Sequence, residues 1–114
     1  MNRDTSLYIK DILDNMETSR TFIEGMSYQE FSKDTKTCYA VTRCIEIIGE
    51  AAKNVPVATR QKYPDIPWKQ MAGMRDKVIH FYFGVNFKRV WLVIKKDIPK
   101  LQPLLEKILE DLHE

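Results

Sequence analysis

The sequence predicts an all-α fold, an antiparallel bundle of four to five helices built as one domain over residues 1–114. Three observations lead there. Apolar residues recur at intervals of three and four along most of the chain, the period of a helix with one buried face. Capping residues stand ahead of those runs at Ser27, Asp34 and Asn86. No stretch shows the apolar–polar alternation of a half-buried strand. A chain of 114 residues buries roughly two-thirds of its unfolded surface, enough for a modest core without staples.

The first helix is expected over about 4–25, with Leu7, Ile9, Ile12, Leu13, Met16, Phe22 and Ile23 as its apolar residues and Gly25 near its end. Ser27-Tyr28-Gln29-Glu30 has the Ser-x-x-Glu form of a capping box and opens a short turn carrying Phe31. Asp34 caps a long helix over about 35–54, in which Cys38, Val41, Ile45, Ile48, Ala52 and Val55 step by three and four. Gly49, Ala51 and Ala52 let a second element come close to that helix. Pro56, Pro64 and Pro67 mark the main interruption, with a short helical turn starting at Pro56. Trp68 opens a turn that closes near Gly73, and its indole is read as a core anchor. After Asn86, Phe87, Val90, Trp91 and Ile94 form one face, continued by Leu101, Leu104, Leu105, Ile108 and Leu112, with Pro99 and Pro103 as points of kinking or restart.

Between these parts lies Met74 to Val85, with Arg75, Asp76, His80 and Tyr82. It reads as the last turns of a helix stopped by Gly84. On that helix Met71, Met74, Val78 and Phe81 face the core, Asp76 and His80 are close enough to touch, and Arg75 and Tyr82 stand one above the other. Arg75 and His80 lie ~140° apart around the axis and ~7.5 Å along it, so the long arginine stem or a loosened last turn must bring them together. Glu50 on the preceding long helix is a possible neighbour of Arg75.

Chemically, Arg75 presents a planar fork of donors to a phosphate, His80 moves a proton near neutral pH, and Tyr82 offers a phenolic oxygen. Attack of an RNA 2′-hydroxyl on its neighbouring phosphate needs a base, an acid and charge stabilisation, without a metal. One chain supplies one suitable histidine, and a two-fold homodimer supplies two. A structural reading of the same residues stands beside this: His80 capping final carbonyls, Arg75 pairing with a surface carboxylate, Tyr82 packing in the core.

Composition excludes several classes. No apolar run reaches the ~18 residues of a membrane-spanning helix, and Met1-Asn2-Arg3-Asp4 does not open a secretory signal, so a cytoplasmic protein is expected. Cys38 and Cys44 sit ~240° apart on one helix and are read as buried free thiols. There is no Cys/His cluster with ligand spacing and no glycine-rich phosphate loop, so neither metal nor cofactor is expected. Net charge is −3 over residues 1–34, +8 over 35–100 and −3 over 101–114, so the basic excess surrounds the motif, where a polyanion is attracted.

The whole chain resembles the HEPN family, and within it the HepT-like ribonuclease toxins encoded beside minimal nucleotidyltransferase (MNT) antitoxins. Arg75, His80 and Tyr82 match the Arg-x4-His-x-Tyr motif of that branch, with polar Asp76 straight after the arginine. Ile47-Ile48-Gly49-Glu50-Ala51-Ala52 resembles its IGEA helix, Ile66-Pro67-Trp68 its entry to the motif helix, and Val90-Trp91 with Asp97-Ile98-Pro99-Lys100-Leu101 its last helix.

The resemblance implies a homodimeric HEPN-like bundle acting as a metal-independent endoribonuclease, the toxin of a type VII-like HEPN/MNT toxin–antitoxin pair. In that expectation His80 and Arg75 are catalytic at a composite dimer-interface site, Asp76 supports them, and products carry a 2′,3′-cyclic phosphate. A partner nucleotidyltransferase antitoxin transfers AMP onto Tyr82 and so shuts the site. The alternative is a non-catalytic HEPN subunit that binds a nucleotide or serves as the helical partner of a nucleotidyltransferase.

Overall fold

The computed structural model describes residues 4–80 and 84–113, with the backbone alone described at His80. Helix α1 spans Thr5–Phe22, capped by Asp4, whose carboxylate accepts from the Ser6 N–H at 2.8 Å. Its buried stripe is Ile9, Ile12, Met16 and Ser19, continued by Ile23 just past its end. Leu7 and Phe22, expected on that stripe, are exposed instead. At ~100° per residue Leu7 falls on the far side of the helix from Ile12 and Met16, and Phe22 falls on the flank, ~80° from Ile12 and ~120° from Met16; apolar character does not override that geometry. Gly25 turns the chain at φ 77°.

The capping box forms as expected. The Glu30 N–H donates to Ser27 Oγ at 3.1 Å and the Ser27 N–H donates to Glu30 Oε1 at 2.9 Å. It starts α2, Tyr28–Lys33. Asp34 then caps α3, Thr35–Asn54, accepting from the Thr37 N–H at 3.0 Å. Every position of the expected α3 stripe, from Cys38 to Val55, is buried. Helix α1 lies along α3 and against the C-terminal helix, and the second and third of the three short helices after residue 56 pack on α3 as well.

Those short helices are α4, Val57–Lys62, α5, Trp68–Ala72, and α6, Met74–Val78. Trp68 is the anchor expected of it: its ring is buried and its Nε1–H donates to the Tyr63 carbonyl at 3.0 Å. At Gly49 α5 lies close against α3. A Cβ built there meets the carbonyl oxygens of Ala72 at 3.3 Å and Met71 at 3.4 Å, so glycine permits the approach.

Helix α6 stops at Val78, and the expectation of a helix running on to Gly84 is corrected here. Ile79 is extended, at φ −111° and ψ 121°, and its N–H closes the last turn onto the Arg75 carbonyl. Two short strands follow, β1 at Ile79–His80 and β2 at Gly84–Val85, paired antiparallel with Ile79 opposite Val85 and His80 opposite Gly84. The β-branched pair Val78-Ile79 disfavours a helix and favours a strand. Gly84 sits at φ 76°, and the Asn86 N–H donates to the Val78 carbonyl at 2.7 Å to close the ribbon.

Helix α7, Phe87–Leu92, is capped by Asn86 and runs without a break through a π-helical segment, Val93–Asp97, into α8, Ile98–Leu112. Within that segment the Ile98 N–H reaches back five residues to the Val93 carbonyl. Pro99 has no N–H and its ring crowds the carbonyl four residues earlier, so a widened turn replaces the interruption expected at this proline. Val90, Val93, Ile94, Ile98, Leu101, Leu105 and Ile108 lie on the buried side, while Leu104 and Leu112 stay exposed. Phe31 packs against Trp91 and Phe87, with ring centroids 5.2 and 6.3 Å apart, and ties α2 to α7. The result is an all-α bundle around one hydrophobic cluster, with a two-residue ribbon between α6 and α7.

Candidate functional site

Helix α6 places Arg75 on its outer face, between the buried Met74 and Val78. The guanidinium lies between two carboxylates. Its Nε is 3.8 Å from Glu46 Oε2 and its Nη1 is 3.5 Å from Asp76 Oδ1. Glu46 also faces Arg43 Nη1 at 3.9 Å on its own helix. The Arg75 side chain is 55% exposed and that of Asp76 82%. Ion pairs so open to water contribute little, on the order of 0–1 kcal/mol each. They orient the arginine without saturating it, and a phosphate with bidentate geometry competes well for the same donors.

Of the residues singled out in the sequence, Arg75 and Asp76 meet. Asp76 does so as a partner of Arg75 on the same short helix. The helix expected to align Asp76 with His80 and Arg75 with Tyr82 ends at Val78. The His80 backbone belongs to the ribbon, opposite Gly84. The His80 side chain, and Phe81, Tyr82 and Phe83, lie outside the described residues.

Glu46 is the residue that the sequence reading missed. The candidate neighbour of Arg75 on α3 was Glu50, whose side chain instead stands near Asn54 Nδ2 at 3.4 Å. Glu46 lies one turn earlier and three residues before Gly49, on nearly the same face. The glycine that admits α5 therefore also marks the side of α3 that α6 runs beside. That spacing was the signal available.

Nucleophiles elsewhere are held inert. Cys38 and Cys44 are buried and unpaired, as expected. Burial pushes the Cys38 thiol up to about 11 and raises that of Cys44 as well, so neither forms a thiolate readily. Among the described residues no group of three His, Cys, Asp or Glu side chains is placed to hold a metal ion. No helix among them is long and apolar enough to cross a membrane.

Known proteins resemble the chain over nearly its whole length. Residues 12–108 match the family model described as "Ribonuclease HepT-like". A Methanocaldococcus jannaschii protein named as a "Putative RNase" is 47% identical, with 98% of this chain and 97% of the relative covered. A Thermococcus cleftensis protein named "Probable ribonuclease HepT" is 44% identical over 95% of this chain and 98% of its own length. A "Putative RNase" of Caldanaerobacter subterraneus subsp. tengcongensis is 45% identical over 90% of this chain and 92% of the relative. No solved structure matches.

Proposed function

The chain belongs to the HepT-like ribonuclease family, and on that premise we propose that it is a metal-independent endoribonuclease acting as the toxin of a HEPN/MNT toxin–antitoxin pair. The observation that carries the reading is the Arg75 guanidinium. It is exposed, aimed by two weak ion pairs, and stands five residues before the histidine that the family motif matches.

In this proposal an RNA 2′-oxygen attacks the adjacent phosphorus. His80 takes the 2′-hydroxyl proton, and Arg75 stabilises the negative charge that builds on the phosphate oxygens. The bond from phosphorus to the 5′-oxygen breaks, and that oxygen receives a proton from the partner subunit's His80. The products are a 2′,3′-cyclic phosphate and a 5′-hydroxyl. Asp76 holds Arg75 in place. A two-fold homodimer supplies the second histidine. RNA as the substrate is supported by the family.

Control is proposed to act at Tyr82. A nucleotidyltransferase antitoxin delivers AMP from ATP: the phenolic oxygen attacks the α-phosphorus, loses its proton, and pyrophosphate leaves. The added anion beside the site repels the RNA phosphates and blocks their approach.

The test is cleavage of total RNA by purified protein in EDTA, wild type beside His80→Ala, with circular dichroism on both. Cleavage by wild type alone at equal helicity supports the reading. Absence of cleavage from folded, unmodified wild type overturns it in favour of a non-catalytic partner of a nucleotidyltransferase.

A further inference from the structure

A groove of about 500 Å³ opens between the end of α3, α4 and α5. Its apolar lining is Val57, Ala72 and Trp68, and its polar lining is Lys53, Arg60, Lys69 and the neutral Gln61. No carboxylate lines it. The three cations form no ion pair among the described residues, and Arg60 Nε is buried without a hydrogen-bond partner there. Val57 is 58% exposed, a large apolar side chain left in water at the groove's edge. The Trp68 indole is held rigidly by its bond to the Tyr63 carbonyl, so the wall it forms is preformed.

The groove continues the Arg75 site along α3. Arg75 meets that helix at Glu46, the end of α5 meets it at Gly49, and Lys53 lines the groove. Glu46 and Lys53 are seven residues apart on one face, ~10.5 Å along the helix. We propose that this groove is a second RNA subsite, taking a phosphate on its lysines and arginine and the face of a base on its apolar lining, roughly one to two nucleotides from the phosphate bound at Arg75. It rests on the ribonuclease reading above. Charge decides the occupant: an apolar lining whose only charged neighbours are cations complements a nucleotide, whose phosphate is anionic and whose base is a flat, weakly polar surface.

The experiment measures binding of a 2′-O-methyl oligonucleotide, which cannot be cleaved, across a salt series by fluorescence anisotropy. Wild type is compared with Lys53→Gln/Lys69→Gln; both lysines are exposed, and circular dichroism checks the fold. Cleavage of the matching all-RNA oligonucleotide by wild type in EDTA is followed in parallel. The double variant is expected to bind about tenfold more weakly at low salt, with a salt slope shallower by up to ~0.7, the loss of one phosphate contact. Unchanged affinity and slope from a variant whose wild type binds and cleaves RNA would overturn the subsite and leave the ribonuclease reading standing. Unchanged RNA binding with loss of a purified nucleotidyltransferase partner would give the groove to a protein and overturn the subsite. A full effect on binding while wild type cleaves nothing would support the subsite and sink the ribonuclease reading. Wild type that neither binds nor cleaves overturns both.

Discussion

Glu46 on α3 holds Arg75 on α6 at 3.8 Å between carboxylate and Nε, and the same carboxylate stands 3.9 Å from Arg43. A carboxylate in that place serves two opposed ends. It orients the guanidinium, and it competes with any phosphate that comes to it.

The two effects separate by kinetics. Glu46→Gln removes the competing charge, so KM for RNA is expected to fall severalfold. Arg75→Ala removes charge stabilisation itself and is expected to lower kcat at least ~100-fold. Neither change disturbs the core, because Arg75 is exposed and Glu46, though half-buried, lies outside the hydrophobic cluster; thermal melts within a few degrees of wild type check this. An Arg75→Ala variant with full kcat would remove the arginine from the mechanism.

Gly49 sets how closely α5 approaches α3. A Cβ there meets two backbone carbonyls at 3.3 and 3.4 Å, neighbours that cannot swing aside as a side chain can. Gly49→Val is expected to destabilise the protein by about 2–3 kcal/mol, read from urea denaturation. Because the shift moves α5 and α6 together, ribonuclease activity is expected to fall with it. A variant as stable as wild type would show that the two helices slide freely.

Tyr63 and Asp111 join the α4–α5 connection to α8 through a hydroxyl-to-carboxylate bond of 2.7 Å. The Tyr63 hydroxyl, and after it Lys107, hold the Asp111 carboxyl below the usual carboxylate range. A carboxyl depressed in the folded state contributes stability above its unfolded pKa and loses it as pH falls through the folded one. The melting temperature of wild type is therefore expected to exceed that of Tyr63→Phe at neutral pH, and the gap to narrow in acid. A gap that widens in acid would contradict the assignment.

Cys38 and Cys44 are expected to resist a thiol reagent such as DTNB at pH 8 in the native protein and to react fully in guanidinium. The cause is burial, which both shields the sulfur and raises the thiol, Cys38 to about 11. Fast native labelling of either would mean that α3 opens readily.

Local signals carried most of the helices and little of the site. The Ser27–Glu30 box, the Asp34 and Asn86 caps and the α3 stripe are each settled within a few residues, and each forms as read. The motif segment was harder. Its apolar residues suit a helix, but Val78 and Ile79 also suit a strand, and the choice fell to Gly84 and to the bond from Asn86 back to Val78.

What the sequence determined by itself was the all-α class, the caps, the buried stripe of α3, and Arg75, Asp76, His80 and Tyr82 as the residues to watch. These depend on spacing within one element, and spacing is written in the chain. Tertiary structure alone decided that Glu46 rather than Glu50 meets Arg75 and that Lys53, Arg60 and Lys69 line one apolar groove. Each of those joins residues from different elements. Their distance is set by how closely α5 and α6 settle onto α3 over Gly49, and no pattern within a single helix records it.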